Sequence, residues 1–236
     1  MSLRVSFLVF LLIISKYEST SNKRRNFLMQ PWRHAKSSAM RRQVHWIKDL
    51  AIHEFIDSSK TACSDLRHRI VLHNNDLGVF LAQMAFPERD DCKDIVESHI
   101  REDIGTVPSL NDWLFTAQIP PRSVARKLDR NQLIASAKDR IGLIDETPIV
   151  EVLDLLLAGQ RFCPSGSEYG TAILMNGFGP FLVRQIIGPA RCVEERGGRE
   201  IIFDPSWTAE GIIIEYYGRI PSLAEVLAPF SGRLCE

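Results

Sequence analysis

Ile104-Gly105-Thr106-Val107-Pro108-Ser109-Leu110-Asn111-Asp112-Trp113-Leu114 recurs, at a shift of 113 residues, as Tyr217-Gly218-Arg219-Ile220-Pro221-Ser222-Leu223-Ala224-Glu225-Val226-Leu227. Each copy reads as the stop of one helix and the start of another. Gly105 and Gly218 stand where positive φ carries no steric cost, and a proline turn leads from each to a new N-cap. Ser109 with Asp112, and Ser222 with Glu225, have the serine-x-x-acid spacing of a capping box or its aspartate variant. A helix-stop, turn and helix-start unit that occurs twice predicts a mainly α fold of two tandem copies of a small helical domain.

Upstream, Ile70-Val71-Leu72-His73-Asn74-Asn75-Asp76-Leu77-Gly78-Val79-Phe80-Leu81 pairs, with one deletion, with Ala172-Ile173-Leu174-Met175-Asn176-Gly177-Phe178-Gly179-Pro180-Phe181-Leu182. The second copy is longer between this segment and its terminal motif, and Gly197-Gly198 with Asp204-Pro205 mark a turn or hairpin insertion in 191–205, with Glu200 to Phe203 as one strand. The expected organisation is a leader or upstream extension over 1–28, a first helical copy over 29–118, a linker helix over 119–146 and a second, degenerate copy over 147–236. Pro120-Pro121 is the clearest boundary. Within the first copy, 46–74 reads as helix with a break at Ser58-Ser59, and Asn75 or Asp76 caps the helix that follows.

All six histidines lie between His34 and His99. In the alignment of the copies Asp65 becomes Ser167, His68 becomes Gly170, His73 becomes Met175, His99 becomes Ile212 and Asp103 becomes Tyr216. The scaffold persists while the polar groups vanish, so the first copy is expected to carry a polar site and the second to be structural packing.

The densest polar stretch is Asp65 to His73. On one helix Asp65, Arg69 and His73 would form a stripe at i, i+4 and i+8, with His68 and Arg67 beside it. His53 with Asp57, and His99 with Asp103, have i, i+4 spacing on other helices. Three helices each offering a histidine and a carboxylate can converge inside a bundle on a divalent metal such as zinc, iron or manganese, with His68, His73 and His99 as ligands. A metal there could activate water for phosphoester hydrolysis. Two arginines beside the cluster suit an anionic ligand instead, and a third reading is a buried hydrogen-bonded network with no ligand. No H-E-x-x-H or C-x-x-C spacing narrows the choice. The sequence therefore points to an interaction or ligand-binding module, with a metal-dependent phosphoester hydrolase as the alternative.

The formal charge is zero, but residues 1–50 hold ten Lys or Arg against Glu18 and Asp49. No recognition motif accompanies this basic arm, so nucleic acid is not the expected partner. Val5 to Ile14 has the length of a signal-peptide core and is too short to span a bilayer. Cleavage there would make the protein secreted, with disulfides between Cys63 and Cys92 and between Cys163 and Cys192 conceivable; a start at Met29 would make it cytoplasmic.

Pro31-Trp32-Arg33-His34-Ala35, His53-x-x-x-Asp57-x-Ser59-Lys60, Arg67-His68-Arg69 with His73, and His99-x-x-Glu102-Asp103-x-Gly105-x-x-Pro108-x-x-x-Asp112-Trp113-Leu114 together resemble a small, mainly helical bacterial and phage domain family of unknown function. The resemblance spans residues 30 to 115 and implies a domain start near Met29. It draws attention to the polar residues named above and implies no activity for them.

Overall fold

The computed structural model describes residues 30–114, 129–143, 145–163, 168–193 and 197–230. The expected leader, the Pro120-Pro121 boundary, Ser167 and Cys235 lie outside them. The described chain is mainly helical: twelve α-helices, several 3-10 turns and one two-stranded sheet. None of these helices is long and apolar enough to cross a membrane, and no disulfide joins the described cysteines.

Six helices precede the undescribed 115–128 segment: α1 (Pro31–Arg42), α2 (Ile47–Asp57), α3 (Arg69–Leu72), α4 (Leu77–Ala85), α5 (Cys92–Ile104) and α6 (Leu110–Leu114). Six follow it: α7 (Arg130–Ile141), α8 (Thr147–Leu156), α9 (Glu168–Ala172), α10 (Gly179–Ile186), α11 (Pro205–Tyr217) and α12 (Leu223–Val226). The hairpin β1 (Ala190–Val193) and β2 (Glu200–Phe203) sits between α10 and α11, paired antiparallel with Ala190 opposite Phe203. It occupies the stretch where an insertion was expected, and Gly197 and Gly198 both take positive φ in its turn.

The terminal motif forms as its residues dictate. Gly105 and Gly218 end α5 and α11 at φ 84° and 75°. The Ser109 hydroxyl accepts from the Asp112 amide at 3.0 Å while the Asp112 carboxylate accepts from the Ser109 amide at 2.8 Å, a reciprocal box. At Ser222 only the forward bond forms, from the Glu225 amide at 3.1 Å; the Glu225 carboxylate turns to Arg219 instead.

The upstream match also has one local geometry in both places. The Asn74 side-chain amide donates to the Ile70 and Val71 carbonyls, and its carbonyl accepts from the Gly78 amide. Asn176 donates to Ala172 and Ile173 and accepts from the Phe178 amide. The next backbone amide, Asn75 or Gly177, donates to the proline carbonyl of the terminal motif, Pro108 or Pro221, at 2.8 Å in each case. A buried asparagine thus stops one short helix and ties the following turn to the end of the domain, satisfying backbone groups that burial would otherwise leave unpaired.

The 46–74 stretch departs from the expected helix. After α2 the chain runs through 3-10 turns at Ser58–Thr61 and Leu66–His68, and only Arg69–Leu72 is α-helical. Asp65 is extended and accepts from the Arg67 amide as an N-cap, so the stripe of Asp65, Arg69 and His73 does not form. Serine and aspartate compete for backbone donors and favour such caps over helix interiors.

Of the expected linker helix only α7 and the residues just after it are described. α7 is packed, not suspended: it lies against α8 and α11, with Leu133 and Ala137 buried. α1 lies against α2 and α5 in the same way. One continuous hydrophobic core runs through both sets of helices, from Ile52 and Ile95 to Ile149 and Ile213. At the junction Phe80 of α4 meets Phe162 with ring centres 5.7 Å apart, and Arg161 stacks over Phe80.

Candidate metal centre

Two of the i, i+4 pairs expected from spacing converge. On α2 the buried face carries Ile52, His53, Ile56 and Asp57, and on α5 it carries Ile95, Val96, His99 and Ile100, with Asp103 one turn further on. The hydrophobic residues press these faces together and take the polar residues with them. His73, the residue that ends α3, enters from the third side. All four histidines of the cluster's heart, His34, His53, His73 and His99, are fully buried.

One donor atom from each of Asp57, His73, His99 and Asp103 lies within 4.8 Å of the others. His73 Nε2 is 3.3 Å from Asp103 Oδ2 and 3.8 Å from Asp57 Oδ1; His99 Nε2 is 3.8 Å from both carboxylates. These separations exceed those of charge-assisted hydrogen bonds, about 2.7–2.9 Å. They approach the ~3.4 Å edge of a tetrahedron whose centre is bonded at ~2.1 Å, the distance zinc keeps from imidazole and carboxylate. His73 Nε2, His99 Nε2 and both Asp57 oxygens have no hydrogen-bond partner. Lys60 Nζ stands 2.5 Å from Asp57 Oδ1, off the hydrogen-bonding direction, on a half-exposed side chain that can retreat.

The surroundings fit this reading. Arg69 donates to the Asp103 carbonyl and, at 3.1 Å, to its carboxylate, holding that side chain in place. His34 sits between two carboxylates, its Nδ1 2.8 Å from Glu102 and its Nε2 3.0 Å from Asp103. Burial lowers its pKa, but Asp103 and Glu102 together raise it above the ordinary histidine value. The two carboxylates thus favour the protonated form of His34, whose charge would offset the acidic cluster. Burial pushes up the carboxyl pKa of Asp57 and Asp103, yet the neighbouring cations and histidines hold both well below the usual carboxylate range.

Burial pushes His53 down to about 2, His73 to about 3 and His68 to about 4, so all three are neutral in the folded protein. In the unfolded chain they titrate near 6.5. Between about pH 6.5 and 4 the unfolded state binds protons that the folded state refuses, so stability is full above pH 6.5 and falls as acid is added. His34 has the opposite sign and weakens the fold only as pH rises. Each refused proton costs on the order of 1 kcal/mol per pH unit. Urea midpoints measured from pH 7 to pH 4.5 are expected to fall steeply below pH 6; a flat profile would contradict the neutral-histidine core.

The remaining sequence candidates lie at the edge. The Asp65 carboxylate binds Arg67, which also reaches the Leu227 carbonyl at 3.5 Å. His68 was expected as a ligand, but its Nδ1 meets the Asp65 carbonyl at 2.5 Å and it is not among the four converging groups. Asp57 and Asp103 are among those four. Spacing missed His34, Ser38 and Asp49, whereas Glu102 stands at i+3 from His99 on α5. The three join the cluster from α1 and α2 through tertiary contacts, such as that of His34 with Glu102 across 68 residues, and no local periodicity records such contacts.

The fold and the cluster define a mainly helical domain with a buried histidine–aspartate centre. Residues 29–122 match the family model described as a domain of unknown function (DUF6915), an uncharacterised family that covers the segment carrying the motifs above. No curated protein and no solved structure matches the chain.

Proposed function

We propose that this protein is a ligand-binding module whose ligand is a divalent transition metal held by Asp57, His73, His99 and Asp103. The observation that carries the reading is the convergence of four donors, three of them on buried residues, at metal-ligand separations, several without hydrogen-bond partners. A buried carboxylate with few donors is costly, and at Asp57, which has Lys60 beside it, a bound cation would offset that cost more fully. Two imidazoles and two carboxylates suit zinc, iron or manganese.

Four protein ligands, three of them buried and Asp103 with its carboxylate largely enclosed, correspond to a closed centre that orders a fold, whereas hydrolytic centres keep a position for water or substrate. The phosphoester hydrolase reading is accordingly not favoured.

The second set of helices supports a tandem duplication in which only the first copy keeps the site. Helix α2 maps onto α8 at a shift of 100, placing Leu153 at His53 and Leu157 at Asp57; α1 maps onto α7 at a shift of 99, placing Leu133 at His34 and Ala137 at Ser38. With Met175, Ile212 and Tyr216 at the positions of His73, His99 and Asp103, each of the four metal-binding donors has an apolar or aromatic counterpart, all buried, while Glu102 keeps an acidic counterpart in Glu215. In this reading α7 opens the second copy and is no linker, and the second copy supplies core.

Elemental analysis of the full chain, purified without a histidine tag, tests the proposal. About one metal per chain is expected, and its loss in His73→Ala/His99→Ala with helix content retained. Wild-type protein that neither carries metal nor takes up added zinc, iron or manganese would overturn the reading.

A further inference from the structure

His53 is fully buried and is not among the four converging donors, yet both its nitrogens are engaged. Its Nδ1 is 2.8 Å from His99 Nδ1, and its Nε2 is 3.0 Å from the Ser38 hydroxyl oxygen. The Ser38 hydroxyl in turn lies 3.4 Å from Asp49 Oδ2 and 3.3 Å from the Ala35 carbonyl. Asp49 is buried and clamped by Arg42 and Arg89. The chain of contacts runs from a metal ligand through α2 and α1 to a fixed carboxylate.

A neutral imidazole has one N–H, so the direction of this chain is set at its end. If His99 Nε2 gives its lone pair to a metal, its proton is on Nδ1 and is donated to His53 Nδ1. His53 must then carry its own proton on Nε2 and donate it to Ser38, whose hydroxyl proton goes on to Asp49 or Ala35. With the opposite polarity Ser38 donates to His53 Nε2, His53 donates from Nδ1 to His99, and His99 carries a proton on Nε2. That proton faces the Asp57 and Asp103 carboxylates 3.8 Å away, which favour an N–H over a lone pair while no cation is bound, and it blocks coordination.

We infer that His53 is a positioning residue for the metal centre: with Ser38 and Asp49 it forms a hydrogen-bond relay that selects the His99 tautomer able to coordinate, and its own proton shifts from Nδ1 to Nε2 when metal binds. The inference rests on the metal reading. Metal-bound histidines commonly donate their other N–H to a carboxylate or carbonyl, and loss of such a partner weakens binding by about 10–100-fold. Here a second histidine takes that place, so the direction of its proton reports on occupancy.

Two measurements on the full chain test this, with zinc alone as the probe. Histidine-labelled protein is followed by two-bond 1H–15N spectra, in which protonated and unprotonated ring nitrogens are distinct. The His53 pattern is expected to change from Nδ1–H to Nε2–H as zinc is added. Zinc affinity is then measured by competition with a chromophoric chelator: His53→Leu, which leaves the His99 N–H without an acceptor, is expected to bind about 10–100-fold more weakly. His53→Asn, whose amide oxygen can stand where Nδ1 stood, is expected to recover most of that loss. Zinc binding by wild type with an unchanged His53 tautomer, or with His53→Leu binding as tightly as wild type, overturns the relay alone. Failure of wild type to bind zinc overturns the metal reading and the relay with it. The tautomer measurement needs no variant, so a His53→Leu protein that fails to fold leaves the test intact.

Discussion

Zinc at about a thousand-fold excess over its dissociation constant is expected to raise the thermal unfolding midpoint of the metal-stripped protein by roughly 8–16 °C, since such binding contributes about 4 kcal/mol and a chain of this size gains about 2–4 °C per kcal/mol. Asp57→Asn should abolish the shift. The amide keeps the volume of the carboxylate but removes its charge and much of its affinity for a cation. Without metal the same variant is expected to be weaker than wild type by far less than it is in zinc, because in chelator the Asp57 charge is held only by Lys60 and the neighbouring histidines. The gap between the two proteins therefore widens from chelator to zinc. Scanning calorimetry in the two conditions decides the matter. An Asp57→Asn protein that is much weaker than wild type in chelator, and still gains the full shift in zinc, would show that Asp57 is a structural ion-pair partner of Lys60 and no ligand.

Much of the scaffold was legible because it depends on short-range chemistry. A glycine that must take positive φ and a serine that must cap leave residue-type signatures at fixed offsets, and Gly105, Ser109 and their counterparts Gly218 and Ser222 behave as those signatures require. The hairpin was legible for the same reason. In the centre, His53 with Asp57 and His99 with Asp103 were visible as helical i, i+4 pairs. Asp65 and His68 do not fall on the helical stripe their spacing predicts, because Asp65 is an extended N-cap that breaks the period. His34 could not be found by spacing at all. It stands in α1, and its partner carboxylates are on α5, brought near by the packing of α1 across α2 and α5. A tertiary contact of that kind has no period to read, and the upward push on the His34 pKa exists only once packing brings both carboxylates to it.

Gly78→Ala and Gly179→Ala are each expected to cost about 3 kcal/mol or more, at the upper end of what overpacking causes. A β-carbon on Gly78 would fall inside the van der Waals shell of the Leu72 carbonyl oxygen, and one on Gly179 would do the same to the Leu174 carbonyl. In both cases the obstacle is backbone at the end of a short helix that the neighbouring asparagine has fixed, so no side-chain rotation relieves it. Gly105→Ala and Gly218→Ala are the controls. Their added methyl groups meet open space, and only the positive φ is disfavoured, at about 1 kcal/mol. Urea unfolding of the four variants is expected to separate them into these two pairs, each pair containing one member from either set of helices. Because one core joins the sets, Gly179→Ala should weaken the half that holds the metal centre as much as the half that holds the mutation, and a single transition should persist. Two separable transitions, with the zinc-sensitive one untouched by Gly179→Ala, would show that the halves fold independently and that the shared core couples them far less than its continuity implies.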